Sequence, residues 1–219
     1  MYLTQQYADS FAPNAQNTQD LMAQHNMIYV VSGDLSVNGT KVAPDSAVYV
    51  EDYADICAGE QGAKIWRWTI TREAERPLTL LRGNGVTSCL RLSRQVKMFE
   101  LVPTSKWLFR LDRIVEFEGS TGLHSHPGSG IRCLLSGHLR TESDKGENTN
   151  NAAHGDVWYE EGSYPLISTV NSGEKATFLR GMILPPEYLI YGETATWIEG
   201  CKATYKEWKA HEQKLVVLR

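Results

Sequence analysis

A chain of 219 residues with 42% hydrophobic content, 10 Tyr, 6 Trp and 5 Phe has ample material for a packed core, as one large domain or two small ones. A net charge of −4 with Lys and Arg scattered and no basic run excludes an electrostatic nucleic-acid surface. No apolar run is long enough to span a bilayer, the first twenty residues lack a basic start and an apolar core, and Cys57, Cys89, Cys133 and Cys201 stand far apart without a C-x-x-C pair. A cytoplasmic protein with reduced thiols and no membrane partner is therefore expected.

Residues 1–20 are polar with a few apolar positions (Tyr2, Leu3, Tyr7, Phe11), which reads as a loose arm or a strand that pairs elsewhere. Residues 25–35, HNMIYVVSGDL, are rich in β-branched and aromatic side chains and form a strand ending at Ser-Gly. Asn38-Gly39 then supplies the strongest short hairpin signal in the chain. Residues 47–50 form a further short strand. In 63–71, AKIWRWTIT, Trp66 and Trp68 share one face and Ile65 and Arg67 the other. Residues 78–81 and 88–101 read as strands, and Pro103-Thr104-Ser105 marks a domain seam. In the strand 107–117, WLFRLDRIVEF, Trp107, Phe109, Leu111, Val115 and Phe117 share one face and Arg110, Asp112 and Glu116 the other.

The stretch 124–139, HSHPGSGIRCLLSGHL, is where chemistry concentrates. In an extended strand residues i and i+2 project from one face, so His124 and His126 converge on one point, a metal-ligand spacing. Pro127-Gly128-Ser129-Gly130 turns the chain into a second short strand ending at Gly137. Residues 143–153, SDKGENTNNAA, are polar without an apolar anchor and are expected to be a mobile excursion. Pro185-Pro186 ends the strand run. Residues 203–214, ATYKEWKAHEQK, have the composition of a short surface helix packing Tyr205 and Trp208.

The order repeats. Gly33 and Gly137, 104 residues apart, align VVSGDL with LLSGHL, and the same shift sets Asn26 on Gly130. Each copy then runs through a turn, a short strand (47–50, 157–160), a Gly-bearing turn and a strand carrying an arginine, Arg67 or Arg180, which brace the two copies. Many short strands with Gly, Asn and Pro punctuation make an all-β chain.

Gly119, His124, His126 and Gly137 resemble the first motif of the cupin superfamily, a glycine, then H-x-H, a glutamate four residues on and a later glycine. The resemblance implies two cupin-type jelly-roll barrels in tandem, a bicupin. The first, residues 1–102, lacks a ligand set, keeping only His25 and Asn26. The second, residues 103–219, carries the candidate site and ends in the short helix. It also implies a divalent transition metal (Fe, Mn, Ni, Zn or Cu) on His124 and His126. Gly130 stands where the family has its glutamate, and the 155–166 stretch lacks the family's further histidine, so either Glu160, Glu161 or His138 completes a set, or these are two exposed acids at a strand end and an outward histidine, with His124 and His126 hydrogen-bonded polar residues in a barrel mouth. If family geometry holds, Arg132 faces inward, where it either grips an anionic ligand or pairs with Glu142, Glu160 or Glu161.

Three functions fit these residues. One is a metal-dependent cupin enzyme acting on a small organic acid or aromatic by dioxygenation, isomerisation or lyase chemistry, with substrate contacts from Arg132, Glu160 and His138. Another is a non-catalytic module that senses a small anion or sugar. The third is an inert structural protein. In each case a homodimer is expected, because open sheet edges need cover.

Overall fold

The computed structural model describes residues 2–18, 21, 23–72, 79–96, 106–201 and 205–218. The chain divides into two compact units, Met1–Gln95 and Val96–Arg219. Among the described residues no helix is long and apolar enough to cross a membrane, and all four cysteines are free.

The first unit is one curled sheet of β1 (Tyr2–Phe11), β2 (His25–Val37), β3 (Thr40–Val42), β4 (Ser46–Glu51), β5 (Ile56–Arg72) and β6 (Val86–Gln95). Its order is β3-β2-β5-β1-β6, with β4 paired to β2. The N-terminal stretch is thus a central strand, paired with β5 on one side and β6 on the other. Val37 pairs with Thr40 across a two-residue turn in which Asn38 and Gly39 both adopt positive φ, +51° and +75°. Phe11, Ile28, Val30, Val50 and Ile65 fill the core. Arg67, on the same face of β5 as Ile65, is fully buried against Asp9 at 2.9 Å. Trp66 and Trp68 lie on the opposite face and are buried as well.

The second unit repeats this pairing with β7 (Lys106–Ser120), β8 (His124–Ser125), β9 (Gly130–Ser136), β10 (Leu139–Ser143), β11 (Thr149–Ala152), β12 (Val157–Glu160), β13 (Leu166–Leu184), β14 (Thr196–Trp197) and β15 (Lys206–Val217). β13 takes the place of β5, between β7 and the β9–β10 pair; β12 lies on β9 as β4 lies on β2, and β15 lies on β7 as β6 lies on β1. Asp112 accepts from Arg180 at 3.1 Å, the counterpart of Asp9 and Arg67. On β7 it is the charged face that turns inward: Asp112 and Glu116 flank Ile114, which joins Leu134, Leu139, Trp158 and Phe178 in the core.

Three expectations change. Residues 206–217 are a strand, not a helix, because an edge strand carries Lys and Glu to discourage pairing with another chain, and that composition imitates a helical surface. Residues 203 and 204 lie outside the described part. The 143–153 stretch is a β-hairpin and not a loose excursion: Thr149 bonds Thr141 through its hydroxyl, Asn148 accepts from the Ser143 N–H, and Ala152 is buried opposite Leu139. Thr79 and Leu81 are buried but form no strand. Leu78, residues 97–101 and the seam at 103–105 lie outside the described residues. Pro185 ends β13 and a single 3₁₀ turn, Pro186–Leu189, follows, yet the sheet gains two more strands beyond it.

Candidate functional site

β8 lies between β13 and β14, with His124 opposite both Leu166 and Trp197. Both histidines are buried, and their rings meet edge to face with centroids 5.0 Å apart. His124 Nδ1 lies 2.9 Å from the Gly122 carbonyl and His126 Nδ1 3.0 Å from the Thr194 carbonyl. A carbonyl only accepts, so each Nδ1 carries the hydrogen and each Nε2 is left as a lone pair. Burial pushes the pKa of His124 below the usual imidazole range, and that of His126 well below it, with Arg132, Arg180 and His124 adding to the second shift. Both rings are therefore neutral, the form in which imidazole binds a metal.

Gly130 opens β9 where the family pattern has an acid. A Cβ there would lie 2.1 Å from the Gly181 carbonyl oxygen on β13, so the packing of the two strands admits glycine alone. The residue directly across from Gly130, on β12, is Glu160. Glu160 is 8% exposed and turned inward. Its Oε1 accepts from Trp158 Nε1 at 2.9 Å, and its Oε2 lies 2.6 Å from Arg132 Nη2 and 3.5 Å from His126 Nε2. Thus the neighbouring strand brings a carboxylate to the histidines.

Arg132 is buried and inward, and its Nη1 donates to the Gly130 carbonyl at 2.6 Å. Although Nη2 is close to Glu160, it makes no aligned hydrogen bond, so the contact is an ion pair and Nη2 keeps donor capacity. The two other acids considered as partners lie elsewhere: Glu142 pairs with Arg140 on the surface, and Glu161 is half-buried. His138 is exposed beside Glu174 at 3.8 Å and does not line the cavity. It follows Gly137 in the turn after β9, beyond the last inward position, which removes it from the candidate set.

Sequence reasoning missed Glu116, Ser168, Arg180 and Lys206, which also line the cavity. The signal available was the Arg110, Asp112, Glu116 alternation on β7, whose polar face is the inner one. Arg180 is held by Asp112, and Lys206 Nζ by Glu193 at 3.3 Å. The space enclosed is small, about 20 Å³ for a water-sized body, room for an ion or a water at the centre.

Among the described residues no group of three or more His, Cys, Asp or Glu is already gathered at metal-binding spacing. The donors nonetheless fit a divalent ion held by two imidazoles, with Glu160 the carboxylate within reach and small oxygen ligands completing the shell. His126 Nε2 and the Glu160 oxygen are both electron-pair donors, 3.5 Å apart.

In the first unit the same register positions carry Asn26, Ile28 and Val50 in place of Gly130, Arg132 and Glu160. Ile28 and Val50 belong to the apolar core, and His25 Nδ1 is 2.7 Å from the Tyr49 hydroxyl.

No protein-family model matches the sequence, and no curated protein does either. Solved structures do. Lactobacillus farciminis oxalate decarboxylase in complex with formate matches with a TM-score of 0.58 at 12% identity, over 89% of this chain and 79% of that one. A point mutant of Bacillus subtilis oxalate decarboxylase matches with a TM-score of 0.55 at 12% identity, over 81% and 69%. Another mutant of the same enzyme gives 0.56 at 13%, over 89% and 71%. At such identity the likeness speaks for the fold, and with the pairing pattern above it identifies the chain as an all-β protein of two cupin-type barrels in tandem.

Proposed function

We propose that residues 103–219 carry a metal-dependent cupin active site for a small carboxylate. The supporting observation is the convergence of two buried imidazoles on the Glu160 carboxylate, with His126 Nε2 3.5 Å from Glu160 Oε2. Arg132 already pairs with that oxygen, but the His126 Nε2 lone pair faces the carboxylate without a proton, since burial together with Arg132 and Arg180 opposes one there. A divalent metal satisfies both groups, with His124 as the second imidazole. When bound, it would act as a Lewis acid or redox centre toward a coordinated oxygen. The chain's own residues orient the ligand: Arg132 Nη2 offers donor capacity to a carboxylate, and Arg180 and Lys206 add positive field.

The small cavity argues against an aromatic ligand. Oxalate decarboxylases, which share the fold, are named for a small carboxylate. Any of Fe, Mn, Ni, Zn or Cu suits this donor set. The free cysteines accord with a cytoplasmic location, and the open sheet edges with a homodimer, which light scattering tests.

Elemental analysis of protein purified without a chelating tag is expected to find stoichiometric metal, and the double variant His124→Ala/His126→Ala to lose it. Parent-level metal in the double variant would end the assignment. The close contact of Arg132 with Glu160 favours a second reading, a metal-free anion holder. Formate binding that persists in metal-free protein and weakens tenfold or more in Arg132→Lys supports it, because lysine keeps the charge and loses the planar fork.

A further inference from the structure

Glu116 has no part in the metal and carboxylate contacts above, yet it borders two spaces. On one side is the inner cavity with His124, His126 and Glu160; on the other is an outer cleft of about 230 Å³ that also contains Thr121 and Tyr205. Its Oε2 accepts from the Ser168 hydroxyl at 2.6 Å, and Ser168 Oγ lies 3.3 Å from Thr121 Oγ1. Ser168 Oγ is the donor in both contacts, and since a hydroxyl has one hydrogen it serves Glu116 and Thr121 in turn. The backbone fixes this spacing: the Ser168 N–H donates to Thr121 Oγ1 at 2.9 Å and the Thr121 N–H to the Ser168 carbonyl at 2.8 Å. Three side chains thus form a continuous O–H chain from the cleft, through buried Ser168, to the cavity.

We propose that Thr121, Ser168 and Glu116 are a proton path between outer water and the ligand in the inner cavity, with Glu116 as the group that exchanges a proton with that ligand. In the withdrawing direction the Glu116 carboxylate takes a proton from the ligand. The Glu116 carboxyl then passes its proton to Ser168 Oγ as the Ser168 hydroxyl proton passes to Thr121 and that of Thr121 to water in the cleft, which leaves as hydronium. One proton moves outward and every hydroxyl is restored, with no change of oxidation state.

The surroundings keep Glu116 available for this. Lys206 faces it from β15 but is held by Glu193, Arg180 on β13 is held by Asp112, and Glu160 contributes a like charge from β12. Burial, the largest influence, holds its carboxyl above the usual carboxylate range, with Glu160 adding to this and Ser168, Lys206 and Arg180 opposing it.

The receiving end of the path rests on the small-carboxylate reading; the path itself does not. Infrared spectroscopy of the full chain separates the two. A protonated-carboxyl band that persists in the parent above the pH at which ordinary carboxyls ionise, and is absent in Glu116→Gln, assigns the group. On transfer to D₂O the band is expected to shift within mixing in the parent and at least tenfold more slowly in both Ser168→Ala and Thr121→Val. Absence of the band, or parent-like exchange in both variants, overturns the path. Added formate is expected to shift the Glu116 band; no shift in protein shown separately to bind formate removes Glu116 from the ligand. Missing metal and missing formate binding with the exchange pattern intact would refute the functional reading and leave the path standing.

Discussion

Position 130 is closed to every side chain, because the Gly181 carbonyl fills the place a Cβ needs. Gly130→Glu, which would place the acid of the cupin pattern there, is therefore expected to lower stability by about 3 kcal/mol or more and to add no ligand, as thermal denaturation with metal analysis will reveal. The histidines give the site a pH signature. In the unfolded chain both take up protons below about pH 6.5, while burial keeps them neutral in the fold. The unfolded state then binds more protons, so stability falls as pH drops below that value, by about 1.4 kcal/mol per pH unit for each uncompensated proton. Glu116 acts with the opposite sign: its raised folded pKa contributes stability that is lost as pH rises from about 4.3 toward the folded value. His126→Gln is expected to flatten the acid-side slope between about pH 5 and 6.5 in urea titrations, and an unchanged slope would show that His126 protonates normally in the fold.

Among the elements, the Asn38-Gly39 hairpin was legible because only a few residue types accept two successive positive φ angles. Space around Gly39 is open, so Gly39→Ala is expected to cost only the backbone term, about 1 to 2 kcal/mol, measured by chemical denaturation. β15 was misread because propensity weighs composition, whereas an edge strand is shaped by what it must avoid. The correct signal was the repeat: β6 pairs with β1 as β15 pairs with β7, so a copy that ends in a strand foretells a strand at the end of the other. The 143–153 hairpin escaped notice because hydroxyl and amide bonds hold it more than apolar burial does, and polar sequence alone does not distinguish bonded from solvated groups.

At the scale of the whole molecule, two units of one strand order differ at a few inward positions. Ile28 and Val50 complete an apolar core in the first, while Arg132 and Glu160 line a cavity in the second. Native mass spectrometry is thus expected to find one metal per chain; two would place a ligand set in the first unit that these positions lack. The doubled architecture and the histidines could be read from spacing. Glu160 could be named but not placed, since its neighbours come from strands distant in sequence, and the Ser168–Thr121 contact spans 47 residues with no pattern to announce it.

The exchange of roles between positions 130 and 160 matters for redesign. Where a site residue is walled by backbone, its identity cannot be edited without moving a strand; the residue facing it across the ladder, whose surroundings are side chains, can be. Position 160 is accordingly the place where the chemistry of this barrel interior can be changed without moving a strand, at the cost of the charge that balances buried Arg132, while glycine at 130 preserves the strand packing that every variant requires.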